Sequence, residues 1–436
     1  MSSTLTAPAA ATETDLARSE ADRFDEALQP RLMGPRLGAL SGDGPLTCHV
    51  LDAKYEPGVR AVVLYEHAGR LLRGDLLSGS GDPSGDAVGP ATIVAPGVRI
   101  CSFPMDPELP ALATVMDPVR LGPVLEDALH RQPEALDLRG PVRCRTTLLR
   151  YRPGKRATVR VAFVGHADRF VAKAYHDPAK ALAVADEAHG LGVPGAGRTL
   201  RFAPTVAHCP ELGVVVQRAV EGTALDVLIG ATRGSGPAVR QALSSAARAL
   251  AELHDLSSVT SRHRSVEREL RRFVARAAGI GSVAPELGAE AGQLADRLLS
   301  VHADLPAPRT GMVHGDCKPS QFRLTGQQVY LMDLDHLGVS DQAADVGTFL
   351  ASLRQLAVRD SVTGGPAGPS DRVTELSQLF LGTYLEAQGH DQTLTRIHWQ
   401  VAVALERKAL RAFARAPRSP VARALVREAN RCLDAL

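Results

Sequence analysis

The segment MVHGDCKPSQFRLTGQQVYLMDLDH, from Met312 to His336, decides the fold class of this chain. An apolar stretch ends in a tight His-Gly-Asp turn at Asp316, and a short hairpin through a Thr-Gly pair then returns an apolar strand that ends on Asp333. Because a hairpin reverses the chain, we expect Asp316 and Asp333 to meet in one site. The Gln321 amide then faces the same point.

Two carboxylates and an amide are the groups that phosphoryl transfer needs. Its transition state is stabilised mainly by positioning and by cations, while one carboxylate accepts the proton of the acceptor hydroxyl and another holds magnesium. Magnesium prefers oxygen ligands, which Asp333 and the Gln321 side-chain carbonyl can supply. The segment therefore offers the minimum set of groups for a magnesium-dependent phosphoryl transfer.

HGDCKPSQF, followed by LMDLDH and then SDQAADVG, resembles the catalytic and metal-binding loops of aminoglycoside phosphotransferases and choline kinases. The resemblance extends over roughly the last 300 residues. It implies an α+β, bilobal protein-kinase-like fold with a small β-rich lobe and a large helical lobe. It also implies ATP and Mg²⁺ as cofactors and transfer of the γ-phosphoryl group to a hydroxyl.

The resemblance implies a role for each residue of the loop. Asp316 matches the catalytic aspartate, and His314 matches the residue that braces the loop. Asp333 matches the aspartate that chelates magnesium, and Asp345 matches a structural anchor of the loop. Lys318 is placed as in protein kinases, where such a lysine steadies the γ-phosphate.

Two residues of the loop need separate interpretation. The family usually has asparagine where this chain has Gln321, and the longer side chain requires a shift in loop or metal position. Maltokinase-like members of the family resemble this pattern with glutamine, and they too carry extra N-terminal sequence. Cys317 has no paired histidine and acid, so we interpret it as a small packed residue rather than a nucleophile.

The small lobe is predicted from the strand-like pattern of residues 142–175. VAKAY places Lys173 on the expected third strand, where the lysine of the family contacts the α and β phosphates. An alanine-rich helix is predicted from Ala179 to Leu191. It offers Glu187 as an ion-pair partner for Lys173, with Asp186 or no pairing as the alternatives.

The nucleotide is expected to meet two further segments. VVVQRAVEGTALDVL resembles the link between the two lobes, where backbone groups of Gln217, Arg218 and Ala219 would meet the adenine. The turn RYRPGKRAT lacks a G-x-G-x-x-G pattern. Gly154, Lys155 and Arg156 could cap phosphates, and a solvated hairpin turn is an equal alternative.

An internal repeat is predicted in the first half of the chain. KYEPGVRAVVLYEHAGRLLRGDLL, from Lys54, can be laid on RYRPGKRATVRVAFVGHADRFVAKAY, from Arg150. The first copy has Gly74 near the place where the second has Lys173. We therefore expect an N-terminal sheet that resembles the nucleotide-binding lobe without its lysine, although any hairpin with a Pro-Gly turn shares part of this pattern.

These patterns divide the chain into four parts. We expect a disordered tail over residues 1–29, an α/β cap unit over 30–137, the kinase-like small lobe over 138–217 and the helical lobe over 218–436. The cluster LLSGSGDPSGDAVGP, residues 76–90, is predicted to be a loop. In the helical part, one buried face is predicted from apolar residues at three and four spacing: Val239, Ala242, Leu243, Ala246, Ala247, Leu250 and Leu253.

Composition limits the other classes of protein. The chain has 436 residues, 44% of them hydrophobic and 22% charged, which is typical of a soluble globular protein. Its six scattered cysteines contain no C-x-x-C pair, which argues against structural zinc. We find neither a signal-peptide pattern nor an apolar stretch long enough to span a bilayer, so we expect a cytoplasmic protein without a membrane partner.

The net charge of the chain predicts no particular partner. The net charge is +2, and the arginine-rich runs SRHRSVERELRRF and ERKALRAFARAPR have helical spacing without interleaved aromatic residues. We predict solvated helix faces and no nucleic-acid partner. The resemblance to aminoglycoside phosphotransferases and choline kinases implies an acceptor that is a small-molecule hydroxyl of a sugar, an aminoglycoside-like compound or a related metabolite. The alternatives are a peptide serine or threonine, and a pseudokinase that binds nucleotide without turnover.

Overall fold

The structure is a computed structural model that describes residues 13–41, 47–76, 91–95, 98–131, 142–192, 198–231, 236–364, 371–389 and 394–436. The predicted loop at residues 76–90 lies outside these residues from residue 77 onwards, as do the first 12 residues of the predicted tail. Within the described part of the chain, no helix is both long and apolar enough to cross a membrane.

The chain divides into two compact units. The N-terminal unit comprises Met1–Phe103, Arg272–Gln293 and Leu410–Ser419, and the catalytic unit comprises Pro104–Arg271, Leu294–Ala409 and Pro420–Leu436. The boundary that we predicted at residue 137 therefore lies near residue 103. The two later segments of the N-terminal unit were not predicted, because contacts between residues so distant in sequence leave no local pattern.

The N-terminal unit begins with two helices and continues with a five-stranded sheet. The helices are α1 (Glu13–Ala27) and α2 (Pro30–Ser41), and the strands are β1 (Cys48–Glu56), β2 (Arg60–His67), β3 (Arg70–Leu76), β4 (Ala91–Ala95) and β5 (Val98–Ser102). The sheet is antiparallel throughout, in the order β1-β2-β3-β5-β4.

Helix α1 corrects the prediction of a disordered tail over residues 1–29. Its last turns carry Phe24 and Ala27, which are both buried. The Phe24 ring stacks on Tyr55 of β1 with 4.8 Å between ring centroids, and the Tyr65 hydroxyl donates to the Ala27 carbonyl at 2.9 Å. The polar composition of this segment hid the helix, because it shows no sustained apolar period.

The strands of the catalytic unit are β6 (Cys144–Arg152), β7 (Arg156–Phe163), β8 (Arg169–Tyr175), β9 (Leu200–Arg201), β10 (Thr205–Cys209), β11 (Val214–Arg218), β12 (Thr223–Ala224), β13 (Thr310–Val313), β14 (Phe322–Thr325), β15 (Gln328–Leu331) and β16 (Gly338–Asp341). Its first sheet has the order β6-β7-β8-β11-β10 and is also antiparallel. This sheet is the small lobe.

The helices that follow are α3 (Ala111–Met116), α4 (Pro118–His130), α5 (Pro178–Leu191), α6 (Leu225–Ala231), α7 (Pro237–His254), α8 (Val266–Gly281), α9 (Pro285–Asp304), α10 (Ala343–Val362), α11 (Asp371–Gln388), α12 (Leu394–Arg415) and α13 (Val421–Asp434). Short 3-10 helices occupy Pro210–Leu212, Pro319–Gln321 and Leu334–His336. The predicted helix 179–191 agrees with α5 to within one residue at each end.

The two five-stranded sheets have the same topology. In both sheets the first strand begins with a cysteine, which pairs with the last residue of the second strand: Cys48 with His67, and Cys144 with Phe163. Each first strand also has one irregularity in its register with the second strand. The similarity therefore covers strand order, direction and register. The internal repeat predicted from the sequence is present as a structural repeat.

The register corrects one detail of that repeat. Lys173 pairs with Thr158, and the corresponding pair, counted from the hairpin turn, is Asp75 with Val62. Asp75 therefore takes the place of the lysine, and our assignment of that place to Gly74 is off by one residue. The Asp75 carboxylate accepts from the buried Arg73 side chain, so the N-terminal sheet carries a neutralised carboxylate there.

Helix α7 supplies the buried face that the sequence predicted. All seven predicted apolar positions, from Val239 to Leu253, are at most 4% exposed. The helix packs on α11, and Phe349 of α10 stacks on Phe380 of α11 with 3.6 Å between ring centroids. This helical core supports the strands β13 to β16, between which the catalytic segment lies.

Two helical glycines make a matched test of this core. A Cβ atom on Gly347 of α10 would lie 2.6 Å from the backbone carbon of Gln400, whereas a Cβ atom on Gly382 of α11 would meet nothing within 4 Å. Gly347→Ala should lower the free energy of unfolding by about 1–3 kcal/mol, because backbone must move. Gly382→Ala should raise it by about 0.5–1 kcal/mol through better helix propensity. Denaturant unfolding measures both, and equal effects would contradict the close helix contact.

Candidate active site

The catalytic loop follows strand β13 and is held by one buried carboxylate. Asp345, in the first turn of α10, accepts from the backbone N–H groups of His314 at 2.6 Å and Gly315 at 2.8 Å. The His254 ring lies 3.3 Å from the same carboxylate and 2.8 Å from the Tyr384 hydroxyl. Burial disfavours the charged Asp345, but these donors outweigh burial and lower its pKa. Asp345 therefore anchors the turn.

The hairpin of β14 and β15 returns the chain to this loop. The His314 ring Nε2 lies 2.9 Å from the backbone carbonyl of Met332, and the backbone N–H of Met332 donates to the backbone carbonyl of Gln321 at 2.8 Å. The next residue, Asp333, has a φ of 63°, a left-handed conformation that turns the chain out of the strand. The backbone of Gln321 is thus held beside that of Met332, the residue before Asp333.

Asp316 is paired within the loop. Its Oδ2 accepts from the Lys318 ammonium group, two residues on. Cys317 between them is fully buried, and burial raises its thiol pKa well above the usual range. A buried neutral thiol is a weak nucleophile, which agrees with the interpretation of Cys317 as a packed residue.

Four charged side chains form a cluster, two of them from strands of the small sheet and two from the segment after β15. Lys173 Nζ lies 3.0 Å from Asp333 Oδ1 and 3.3 Å from Asp335 Oδ1. Arg156 Nη1 lies 2.8 Å from Asp333 Oδ1 and also contacts Asp335. The Tyr175 hydroxyl donates to Asp335 at 2.8 Å. We call Arg156, Lys173, Asp333 and Asp335 the four-charge cluster.

The cluster is electrostatically self-consistent. Burial opposes ionisation of Asp333, but the neighbouring Lys173 and Arg156 outweigh it and hold the pKa of its carboxyl far below the usual range. The same carboxylates hold the pKa of Arg156 above its usual value against the effect of burial. Tyr175 is kept neutral, since burial and the adjacent Asp335 raise its pKa. Asp333 is therefore an ionised carboxylate at neutral pH.

The predicted ion pair between Lys173 and Glu187 is wrong in this structure. Glu187 is buried on α5 and accepts from Arg262 and, at 2.6 Å, from the Thr260 hydroxyl. Both donors lie in the loop after α7. Lys173 instead meets the carboxylates of Asp333 and Asp335. A local rule that pairs the strand lysine with the next helix cannot detect this competition.

The turn between β6 and β7 does not present free backbone N–H groups at the two positions predicted for phosphate binding. Gly154 N–H donates to Asp106 Oδ2 at 2.7 Å, and Lys155 N–H donates to the Arg152 carbonyl at 3.0 Å. Asp106 is buried and also accepts from the Tyr151 hydroxyl at 2.7 Å. The backbone part of that prediction is therefore wrong for both residues.

The predicted adenine-binding segment is the end of β11. Gln217 pairs with Val171 and Thr205 in neighbouring strands. The N–H of Arg218 donates to the Pro204 carbonyl and that of Ala219 to the Arg169 carbonyl, each at 2.8 Å. These N–H groups are engaged within the sheet, so any contact of Arg218 or Ala219 with adenine falls to their carbonyl groups.

The donor set at the end of β15 fits magnesium. Asp333 and Asp335 supply carboxylate oxygens and Gln321 supplies an amide oxygen, which are the ligand types that this hard cation prefers. Within the described part of the chain, no group of three or more His, Cys, Asp or Glu side chains forms a metal site by itself. Such a minimal set is expected where the phosphates of a substrate complete the coordination.

Three residues of the site were not singled out from the sequence in these roles. Tyr175 could have been found, because it lies two residues from Lys173 and therefore on the same face of β8. Asp335 pairs with both cations of the cluster, and this pairing left no local signal in the sequence. Asp106 left no signal, since it reaches the turn from a distant segment.

The comparison with protein families agrees with this geometry. The model of the phosphotransferase enzyme family, APH, matches residues 145–370, which is just over half of the chain. The chain therefore belongs to this family. It is an ATP-dependent phosphotransferase with a protein-kinase-like α+β fold that acts on a hydroxyl group.

Solved structures of similar proteins include two kinases from named organisms. The choline kinase from Cryptosporidium parvum Iowa II aligns at 12% identity over 68% of this chain and 90% of its own, with a TM-score of 0.46. The macrolide 2'-phosphotransferase from Brachybacterium faecium aligns at 16% identity over 68% and 96%, with a TM-score of 0.42. At these values they are similarities only. Among curated proteins, none matches the chain.

The Asp345 anchor generates a stability prediction. Asp345→Ala leaves two backbone N–H groups without their acceptor, which should lower the free energy of unfolding by about 2–5 kcal/mol. Asp345→Asn keeps one acceptor oxygen and should lower the free energy of unfolding by about half as much. Denaturant unfolding measures both variants. Asp304→Ala, at the exposed end of α9, is the control and should change stability by less than about 0.5 kcal/mol. Wild-type stability in Asp345→Ala would show that another group holds the loop.

His336 generates a prediction about pH. Burial, together with Lys180 and Arg264, lowers its pKa from 6.5 to about 4 against the opposing carboxylates. The unfolded chain therefore binds this proton at a higher pH than the folded chain does. The stabilising contribution is complete above pH 6.5 and is lost as the pH falls towards 4. His336→Gln should flatten the fall in unfolding free energy between pH 7 and pH 4.5, measured by denaturant titration; an unchanged slope would contradict this.

Proposed function

We propose that the protein transfers the γ-phosphoryl group of ATP, with Mg²⁺, to a hydroxyl of a sugar, an aminoglycoside-like compound or a related small metabolite. Asp316 accepts the proton of the acceptor hydroxyl as the oxygen attacks. Asp333 and Gln321 hold the magnesium ion, which neutralises charge on the phosphates when bound. Lys173 binds the α and β phosphates, and Lys318 steadies the γ-phosphate.

The observation that carries this proposal is the meeting of Lys173 with Asp333 beside the catalytic loop. The lysine comes from strand β8, and the aspartate comes from the end of β15, yet their charged atoms lie 3.0 Å apart. A cation for phosphate and a carboxylate for metal are thus in one place. Phosphoryl transfer needs this combination, because positioning and charge neutralisation supply most of its rate enhancement.

The positioning of Asp316 supports its role as proton acceptor. The anchored N–H groups of His314 and Gly315 fix the turn that carries it. Lys318 contacts the Asp316 carboxylate and keeps a positive charge where the transferred phosphoryl group is expected. Since a proton acceptor works only when it is within hydrogen-bond reach, this rigidity is part of the proposed mechanism.

The test is transfer of labelled phosphate from ATP to a panel of neutral sugars, aminoglycosides, nucleosides and serine- or threonine-containing peptides. Wild type should label one acceptor class with Mg²⁺ and none after chelation of the metal. Asp316→Asn should lower the transfer rate at least about hundredfold, since the proton acceptor is lost. Its affinity for ATP, measured by calorimetry, should stay within about threefold of wild type.

The control is Asp304→Asn, an exposed aspartate at the end of α9, which should transfer at the wild-type rate. Labelling of a peptide instead of a small molecule would overturn the proposed acceptor class. Binding of ATP without transfer to any acceptor, including water, would favour a nucleotide-binding scaffold. A wild-type rate in Asp316→Asn would remove Asp316 from the mechanism.

A further inference from the structure

The backbone of the turn at residues 152–156 is closed to a ligand at two positions. Gly154 N–H is bound to the buried Asp106 carboxylate, and Lys155 N–H is bound to the Arg152 carbonyl. A loop that holds phosphate by its backbone needs N–H groups that point freely into the site. The phosphates of a nucleotide must therefore be met here by something other than these two N–H groups.

The side chain of Arg156 lies where such a contact is needed. Arg156 is the first residue of β7 and pairs with Tyr175, while Thr158 pairs with Lys173. Because residues two apart share a face of a strand, Arg156 and Lys173 project from the same face of the sheet. Arg156 is 8% exposed, and its guanidinium reaches both carboxylates of the four-charge cluster.

The contacts of Arg156 use both arms of its guanidinium. Nη1 lies 2.8 Å from Asp333 Oδ1, and Nη2 lies 3.4 Å from Asp333 Oδ2. This two-pronged arrangement is the one that arginine forms with carboxylates and with phosphates alike. The geometry of the side chain is therefore already suited to a phosphate group.

The charge balance of the cluster is a second reason to expect that Arg156 binds phosphate. The cluster holds two cations and two carboxylates, so it is neutral as it stands. If the carboxylates are taken by a divalent cation, Arg156 and Lys173 lose their anions while both remain mostly buried. An unpaired buried charge is costly, and phosphate oxygens are the anions that a nucleotide brings. Two negative charges on the phosphate chain would replace the two carboxylates as the anions that pair with Arg156 and Lys173.

We propose that Arg156 is a nucleotide-binding residue that holds the phosphate chain through its side chain, in place of backbone N–H groups of the turn. Asp333 and Asp335 hold the guanidinium ready when the nucleotide is absent. Asp106 is a positioning residue for Arg156, because it fixes the turn from which β7 starts. The inference rests on the proposed function in so far as the ligand is a nucleoside triphosphate.

The experiment compares Arg156→Met with wild type in the binding of two probes by calorimetry: a non-hydrolysable ATP analogue with Mg²⁺, and adenosine. Methionine keeps the length of the apolar stem and removes the charge. The dissociation constant of the ATP analogue should rise at least about tenfold. That of adenosine, which has no phosphate, should change less than about twofold.

Two further variants sharpen the result. Arg145→Met removes an exposed arginine at the far end of the same hairpin, where it pairs with Ala162, and should bind both probes as wild type does. Arg156→Lys keeps the charge but loses the two-pronged geometry, so its affinity for the ATP analogue should lie between those of wild type and Arg156→Met.

The outcomes separate the possible failures. Wild-type affinity of Arg156→Met for the ATP analogue would overturn the inference and leave the proposed function intact. An equal loss of affinity for the ATP analogue and for adenosine would also overturn the inference, since that result would show that Arg156 only maintains the fold of the site. Failure of wild type itself to bind the ATP analogue would contradict the proposed function and, with it, the inference.

Discussion

The catalytic part of this protein depends on one buried carboxylate, that of Asp345. Its two oxygens accept from the consecutive N–H groups of His314 and Gly315, and so they fix a turn that strand β13 alone would leave free at its end. The turn then orients the His314 ring towards the Met332 carbonyl. Asp345 thus fixes the turn that leads into the hairpin, and His314 on that turn contacts Met332, the residue before Asp333.

The four-charge cluster is the second constraint, and it is of a different kind. Asp345 is satisfied permanently by backbone donors, whereas Asp333 and Asp335 are satisfied by the side chains of Lys173 and Arg156. Side-chain ion pairs can be exchanged for metal and phosphate, but backbone hydrogen bonds of a buried turn cannot be exchanged without unfolding it. The site therefore joins a rigid loop to a set of replaceable charges.

Much of this arrangement could be predicted from the sequence, because its signals are local. The spacing of apolar residues predicted α7 and its buried face, and the Thr-Gly pair after the His-Gly-Asp turn predicted the hairpin of β14 and β15. The partners of charged groups could not be predicted in the same way. Glu187 is taken by Arg262 from the loop after α7, and Gly154 by Asp106, and in both cases the competing residue lies far away in the sequence.

The structural repeat shows how little separates a nucleotide-binding sheet from one of the same topology. The two sheets agree in strand order and hairpin register, and they differ in charge at the position of Lys173, where the N-terminal sheet has Asp75. Asp75 is neutralised within its own strand by Arg73. At this position the N-terminal sheet therefore has a carboxylate engaged by its own strand, where the second sheet has the cation proposed to bind phosphate. Function therefore resides in the residues that the topology presents rather than in the topology itself.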